Sequence, residues 1–258
     1  MQSNVLMYET ADTVCNITLN RPDTLNSFNG ELRQDLRKAL ETADADETIR
    51  VIVLKGAGKG FCAGADLGDG VEAQVEKQLK EEYKPAIMAI RNATKPVIAQ
   101  VHGPAAGIGA AFALACDMVI MAENAYMYLA FAAISLIPDG GLNWQLYHSL
   151  GPRRAFEIIA EGKRLTAGEC LAHGMCNAIV PVDELGAAVA QKAETLAKGA
   201  PLAQAAVKKA LNRMGTMELG EAIDLEAELQ QPLSESEDCR QAINAFLNKE
   251  ERAEFKGR

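Results

Sequence analysis

The chain has 258 residues, 48% of them hydrophobic, which is enough for one large domain or a domain with an appendage. Its formal charge of −9 at pH 7 argues against non-specific nucleic-acid binding, though not against a local basic patch for a phosphorylated ligand. The six cysteines (15, 62, 116, 170, 176 and 239) lack metal-ligand spacing and read as reduced thiols of a cytoplasmic protein, so neither a metal site nor a disulfide framework is expected.

Met1-Gln2-Ser3-Asn4 lacks a basic stretch followed by an apolar core, so no secretory signal is expected. Val14 to Asn20 alternates as a strand. Asn29 is a helix N-cap before Leu32, Leu36 and Leu40, which share one helical face. Val51 to Leu54 is the next strand. Val71 to Asn92 has a charged helical pattern, with a break or kink expected at Pro85. Pro96 to Val101 is a strand that leads into the Ala-rich segment Gly107 to Cys116. The apolar run from Pro104 to Ala122 is interrupted by Asp117 and glycines. It reads as buried helix plus strand, not as a membrane span.

Met118–Ala122 and Tyr126–Tyr128 read as short strands, and a helical pattern follows Pro138. Thr166-x-x-Glu169 is a capping box with Gly174 at a C′ position. Ala178 to Val182 is a last strand. Beyond it Leu185–Lys198, Leu202–Met214, Glu218–Leu229 and Asp238–Leu247 all read as helices. The shift from mixed to all-helical predicts a β/α core over 1–200 and a helical region over 201–258.

Two segments carry chemistry. Phe61-Cys62-Ala63-Gly64-Ala65-Asp66-Leu67 follows an apolar strand. So does His102-Gly103-Pro104-Ala105-Ala106-Gly107-Ile108-Gly109. Small residues at a strand exit leave backbone N–H groups uncovered. Two such loops can converge on one oxygen and stabilise an oxyanion without any side chain. Pro138-Asp139-Gly140-Gly141 adds a carboxylate in a turn, read either as a helix cap or as an acid/base group.

These segments, with Leu19-Asn20-Arg21-Pro22 and Leu25-Asn26-Ser27, resemble the crotonase (enoyl-CoA hydratase/isomerase) superfamily over nearly the whole chain. The resemblance implies an α/β (α+β) fold: a ββα spiral core with a helical C-terminal trimerisation region, assembled as a homotrimer or hexamer. It implies an acyl-CoA thioester as substrate, with no cofactor beyond the coenzyme A of that substrate; the charge balance and the interrupted apolar run give no reason to expect a nucleic-acid or membrane partner. The N–H groups of Ala65 and Ile108 match the oxyanion-hole positions. Leu25, Ala63, Gly64, Asp66, Leu67, Gly107 and Phe131 match the substrate path. Asp66 reads equally as a loop-fixing acceptor.

The family's hydratases use two glutamates, and the register puts Ala111 and Phe131 (within a residue or so) in their places. Asp139 matches the position where some double-bond-shifting members carry a carboxylate. The expected activity is therefore a Δ3-Δ2-enoyl-CoA isomerase-type shift with Asp139 as acid/base. The alternatives are hydratase or other crotonase chemistry, and a catalytically silent acyl-CoA-binding protein. His102 reads as a loop hydrogen-bonding group, Tyr126, Tyr128 and Trp144 as core or acyl-pocket residues, and Lys249, Arg252 and Lys256 as a solvated tail. RNA binding through Lys77, Lys80 and Lys84 is disfavoured by Glu72, Glu76, Glu81 and Glu82 alongside them.

Overall fold

A computed structural model of the chain describes residues 3–68, 74–251 and 254–258. The chain opens with a hairpin, β1 (Leu6–Ala11) and β2 (Val14–Leu19), whose turn residue Asp12 has a positive φ of 50°. β1 was not foreseen. It is an edge strand whose residues become exposed toward Ala11, so its sequence carries no buried alternation. The N-cap expected at Asn29 is present: its side chain accepts the Leu32 N–H at 2.9 Å and starts α1 (Gly30–Ala45). Leu32, Leu36 and Leu40 are buried along one face of that helix.

β3 (Val51–Gly56) follows, and its first four residues are buried on both faces, as central parallel strands are. The expected helix start at Val71, like Glu72 and Arg252, lies outside the described residues. The described helix is α2 (Val75–Gln78). It continues through a wide turn, Leu79–Tyr83, into α3 (Lys84–Asn92). There is no break at Pro85. Instead the Lys84 N–H reaches back five residues to the Leu79 carbonyl. That widening absorbs the missing proline N–H without ending the helix.

β4 (Val97–Val101), β5 (Pro104–Ala106) and α4 (Ile108–Ala115) come next, followed by β6 (Met118–Ala122) and β7 (Tyr126–Tyr128). Seven of the eight α4 residues are buried, so this helix has no solvent face. A Cβ on Gly109 would lie 2.7 Å from the Cys62 carbonyl oxygen, so the small residue there serves a tight helix–loop contact.

α5 (Leu142–Glu161) bends at Gly151, whose φ of 71° is non-helical, just before Pro152. β8 (Arg164–Thr166) is a three-residue strand that the sequence pattern does not reveal. The Thr166–Glu169 capping box opens α6 (Ala167–Ala172), and Gly174 has φ 68° just beyond its end. β9 (Ala178–Val180) stops short of the expected Val182 because Pro181 cannot extend the ladder. The last four helices are α7 (Leu185–Ala197), α8 (Pro201–Met214), α9 (Leu219–Ser234) and α10 (Glu237–Asn248).

Six strands form one sheet in the order β1-β2-β3-β4-β6-β9, parallel except for the β1–β2 hairpin. A second sheet runs β5-β7-β8. α8 is tied to the core by the Lys208–Asp117 ion pair at 2.7 Å and by the Asn212 amide, which donates to the Arg91 carbonyl at 2.6 Å. The outer faces of α8, α9 and α10 expose Leu211, Leu219, Ile223, Phe246 and Leu247. Among the described residues no helix is long and apolar enough to cross a membrane.

Candidate active site

The N-terminal segment acts as a brace for the first Gly-rich loop. Leu25 and Asn26 adopt left-handed backbone conformations, φ 50° and 60°. The buried Asn26 amide donates to the carbonyls of Ala57 and Gly60, both at 2.8 Å, and accepts the Arg21 N–H at 2.9 Å. The Ala63 N–H donates to the Leu25 carbonyl, and the Phe28 N–H donates to the Gly64 carbonyl, each at 2.8 Å. The second loop is laced to the first. Phe61 donates to His102, Cys62 to Pro104, and Ala106 back to Cys62, over 2.8–3.0 Å.

The two loops meet at glycines. Gly64 (φ 109°) and Gly107 (φ 52°) hold conformations that favour glycine, and a Cβ on Gly107 would lie only 3.7 Å from the Gly64 Cα. Each loop then presents a backbone donor. Ala65 follows Gly64, and Ile108 is the first residue of α4, where a helix leaves N–H groups without intrahelical acceptors. Among the described residues neither N–H has an acceptor in the protein.

Both residues line a cavity of about 270 Å³. The same cavity gathers Ala63, Gly64, Asp66, Leu67, Gly107, Phe131 and Asp139. Of the expected site residues only Leu25 does not line it. Leu25 stands behind the loop and contributes its carbonyl to the Ala63 N–H. The cavity wall also includes Phe28, Arg33, Val75, Leu79, Tyr83, Ile134 and Leu136, which sequence reasoning did not single out. Arg33 is not a free cation: its guanidinium pairs with Glu82 and lies 5.2 Å from the centre of the Tyr83 ring. Phe28 stacks on Phe112 with centroids 4.6 Å apart, which gives the cavity a rigid aromatic floor.

Asp139 sits between a 3-10 turn, Ala130–Ile134, and α5. The helix-cap alternative fails on geometry. α5 has no side-chain cap, and the Leu142 N–H goes to the Asp139 backbone carbonyl at 3.0 Å. The carboxylate oxygen Oδ1 is buried without a hydrogen-bond partner among the described residues. Desolvation pushes the carboxyl up from its usual range to about 6, against a smaller opposing effect of a hydrogen bond to its own backbone. A half-buried carboxyl that titrates near neutrality is suited to both taking and returning a proton.

Asp66 is the other carboxylate among the described residues of the cavity wall. It pairs with Arg21 at 2.8 Å and accepts the Gly68 N–H at 3.1 Å. The Arg21 hydrogen bond, then the Gly68 N–H, hold its pKa below the ordinary value. It therefore fixes the loop as an anion and is a poor proton shuttle. Neither hydratase-register position brings a carboxylate: Ala111 is fully buried in α4, and Phe131 faces Gly107 across the cavity.

The remaining candidates lie elsewhere. His102 Nε2 meets the Gly58 carbonyl at 3.0 Å, a loop contact. Tyr126 and Tyr128 both lie against the Arg164 guanidinium, and Trp144 is about half exposed beside His148. None of these four residues lines the cavity. Among the described residues no three His, Cys, Asp or Glu side chains cluster as metal ligands.

The model of the enoyl-CoA hydratase/isomerase family matches residues 9–258. A Rhodobacter capsulatus protein named as a probable enoyl-CoA hydratase is 39% identical over 96% of this chain and 97% of its own. The 1,2-epoxyphenylacetyl-CoA isomerase of Escherichia coli is 37% identical over 92% of both chains. The crystal structure of an enoyl-CoA hydratase from Bacillus anthracis superposes with a TM-score of 0.93 at 30% identity, covering 98% of this chain and 100% of that one.

Proposed function

The chain belongs to the enoyl-CoA hydratase/isomerase family and carries the crotonase fold, and we propose that within that family it is a double-bond isomerase acting on a 3-enoyl-CoA thioester. One observation carries the reading. Asp139, whose Oδ1 is buried without a partner among the described residues, lines one cavity with two backbone N–H groups that have no acceptor among those residues.

In this reading the thioester oxygen accepts the Ala65 and Ile108 N–H groups. The Asp139 carboxylate takes a proton from C2, and the electron pair left behind moves into the enolate held by those donors. The same carboxyl then delivers its proton to C4. The double bond moves from C3–C4 to C2–C3, and Asp139 returns to its starting state. One carboxyl suffices because removal and return use the same group in turn. Hydration asks for activation of water at one carbon and proton delivery at its neighbour, work that two carboxyl groups share naturally.

A panel of 3-enoyl-, 2-enoyl- and ring-bearing CoA thioesters, followed spectroscopically, tests the reading. The expected result is turnover of the 3-enoyl substrate and poor hydration of crotonyl-CoA. Fast hydration of crotonyl-CoA would favour the hydratase alternative. The ring-bearing arm tests whether this chain shares the substrate named for its Escherichia coli relative. Binding of every thioester with turnover of none would leave an acyl-CoA-binding protein.

The same reading assigns the outward apolar faces of α8, α9 and α10 to subunit contacts in a homotrimer or hexamer. Light scattering at micromolar concentration is expected to give three or six subunits, and a monomer would refute the assignment.

A further inference from the structure

We infer that the side chain of Ile108, as distinct from its N–H, is a specificity element that holds water away from Asp139 and so commits the bound thioester to isomerisation over hydration. The inference rests on the proposed role of Asp139 and concerns which product leaves the site.

The packing around the Asp139 turn carries it. Ile108 lines the cavity yet is only 2% exposed. Gly140, the residue after Asp139, holds φ +60° with its Cα pressed into apolar neighbours. A Cβ there would lie 2.3 Å from Ile108 Cδ1 and 3.0 Å from both Ala111 Cβ and Ile87 Cδ1. Methyl groups from α3 and α4 thus close on the backbone beside the carboxyl. Asp139 Oδ1 is excluded from solvent without a hydrogen-bond donor in reach among the described residues. A water held beside Oδ1 would need two to four polar partners, and the groups packed on Gly140 offer carbon.

The two reactions share an enolate on the same donors and differ in their substrate and in whether a water takes part. In isomerisation Asp139 removes a proton from C2 and returns one to C4, with no net change in composition. In hydration the oxygen of one water bonds to C3 of the 2-enoyl thioester while Asp139 accepts a water proton. The C2–C3 π pair moves into the enolate, Asp139 gives the proton to C2, and one water is consumed. A dry wall at Asp139 permits the first route and starves the second. Ile108→Gly removes four carbons from that wall and leaves the N–H in place.

The test feeds one 3-enoyl-CoA to the wild type and to Ile108→Val, Ile108→Ala and Ile108→Gly in water enriched with oxygen-18. Mass spectrometry then reads the ratio of labelled 3-hydroxyacyl-CoA to 2-enoyl-CoA. The expected ratio is unchanged in Ile108→Val and rises through Ala to Gly, by about tenfold or more in Gly, the low end of what a few carbons of apolar contact discriminate. A ratio that stays flat in Ile108→Ala and Ile108→Gly while isomerisation continues would overturn the inference and leave the isomerase reading intact. If Ile108→Gly does not fold, the Ala and Val variants decide. A wild type whose double-bond shift is absent, or is unaffected by Asp139→Asn, would overturn the isomerase reading and this inference with it.

Discussion

Asp139→Asn is expected to lower turnover of a 3-enoyl-CoA by at least about 100-fold, the low end for loss of a general acid/base, with little change in thioester binding. The amide is isosteric, so the cavity keeps its shape, and α5 keeps its start because only the Asp139 backbone carbonyl meets Leu142. The pH profile should carry the same signature. As a base the carboxyl must be ionised, so wild-type kcat/KM on the free enzyme rises with pH through about 6 and then levels off.

Stability should move the other way. The folded-state pKa is raised, so the contribution of this group is fully present below the ordinary value of 3.8 and is lost as pH rises through about 6. Asp139→Asn removes that burden. Its melting temperature should therefore exceed the wild type's at pH 7 and match it near pH 4. An active Asp139→Asn variant would make Asp139 a structural residue. A variant inactive but destabilised at pH 7 would mean that the carboxylate is stabilised by a partner in the fold.

Much of this site is legible in the sequence because its parts are backbone features written in small residues. Ala63-Gly64-Ala65 and Gly107-Ile108 each follow an apolar strand, so their N–H groups have to emerge together at one end of a parallel sheet. Asp139 is legible as a carboxylate between proline and two glycines, yet its burial is not. That depends on Ile87 and Ile108, one of them about fifty residues earlier in the chain, closing on Gly140. Arg33, Tyr83 and Phe28 escape for a similar reason. Their periodicity marks helix or core, and only the packing of α1 on α3 and of α3 on α4 brings them to the cavity wall.

Leu25 illustrates the reverse. Its place in the N-terminal signature suggests substrate contact, whereas the structure uses its carbonyl to brace Ala63, alongside the amide of Asn26. The strands β1, β5 and β8 are not legible in the sequence, because an edge strand and three-residue strands owe their form to a pairing partner, not to an alternating pattern of their own. The pattern over 71–92 marks a helix, described from Val75 on, but not its wide turn, since proline signals a missing donor without saying how the chain compensates.

Gly64→Ala is expected to lower kcat by about 10²-fold, the lower end of the effect of losing one oxyanion-hole donor. The effect is steric. At φ +109° an alanine is strained, and its Cβ would press to 3.1 Å from the Ala106 carbonyl oxygen on the opposing loop. Relief by rotating the Gly64–Ala65 peptide breaks the 2.8 Å bond that the Phe28 N–H donates to the Gly64 carbonyl and swings the Ala65 N–H away with it. That rotation takes one of the two donors off the thioester oxygen while Asp139 stays where it was. The pH dependence of the residual activity should therefore still rise through about 6, and a variant combining Gly64→Ala with Asp139→Asn should lose less than the product of the two separate losses, because both act on one transition state. Infrared spectroscopy of a bound thioester gives a reading independent of turnover. The carbonyl stretch, lowered in the wild type by two hydrogen bonds, should return part of the way toward its value in water. Wild-type turnover with an unshifted carbonyl band in Gly64→Ala would show that the Ala65 N–H is not part of an oxyanion hole.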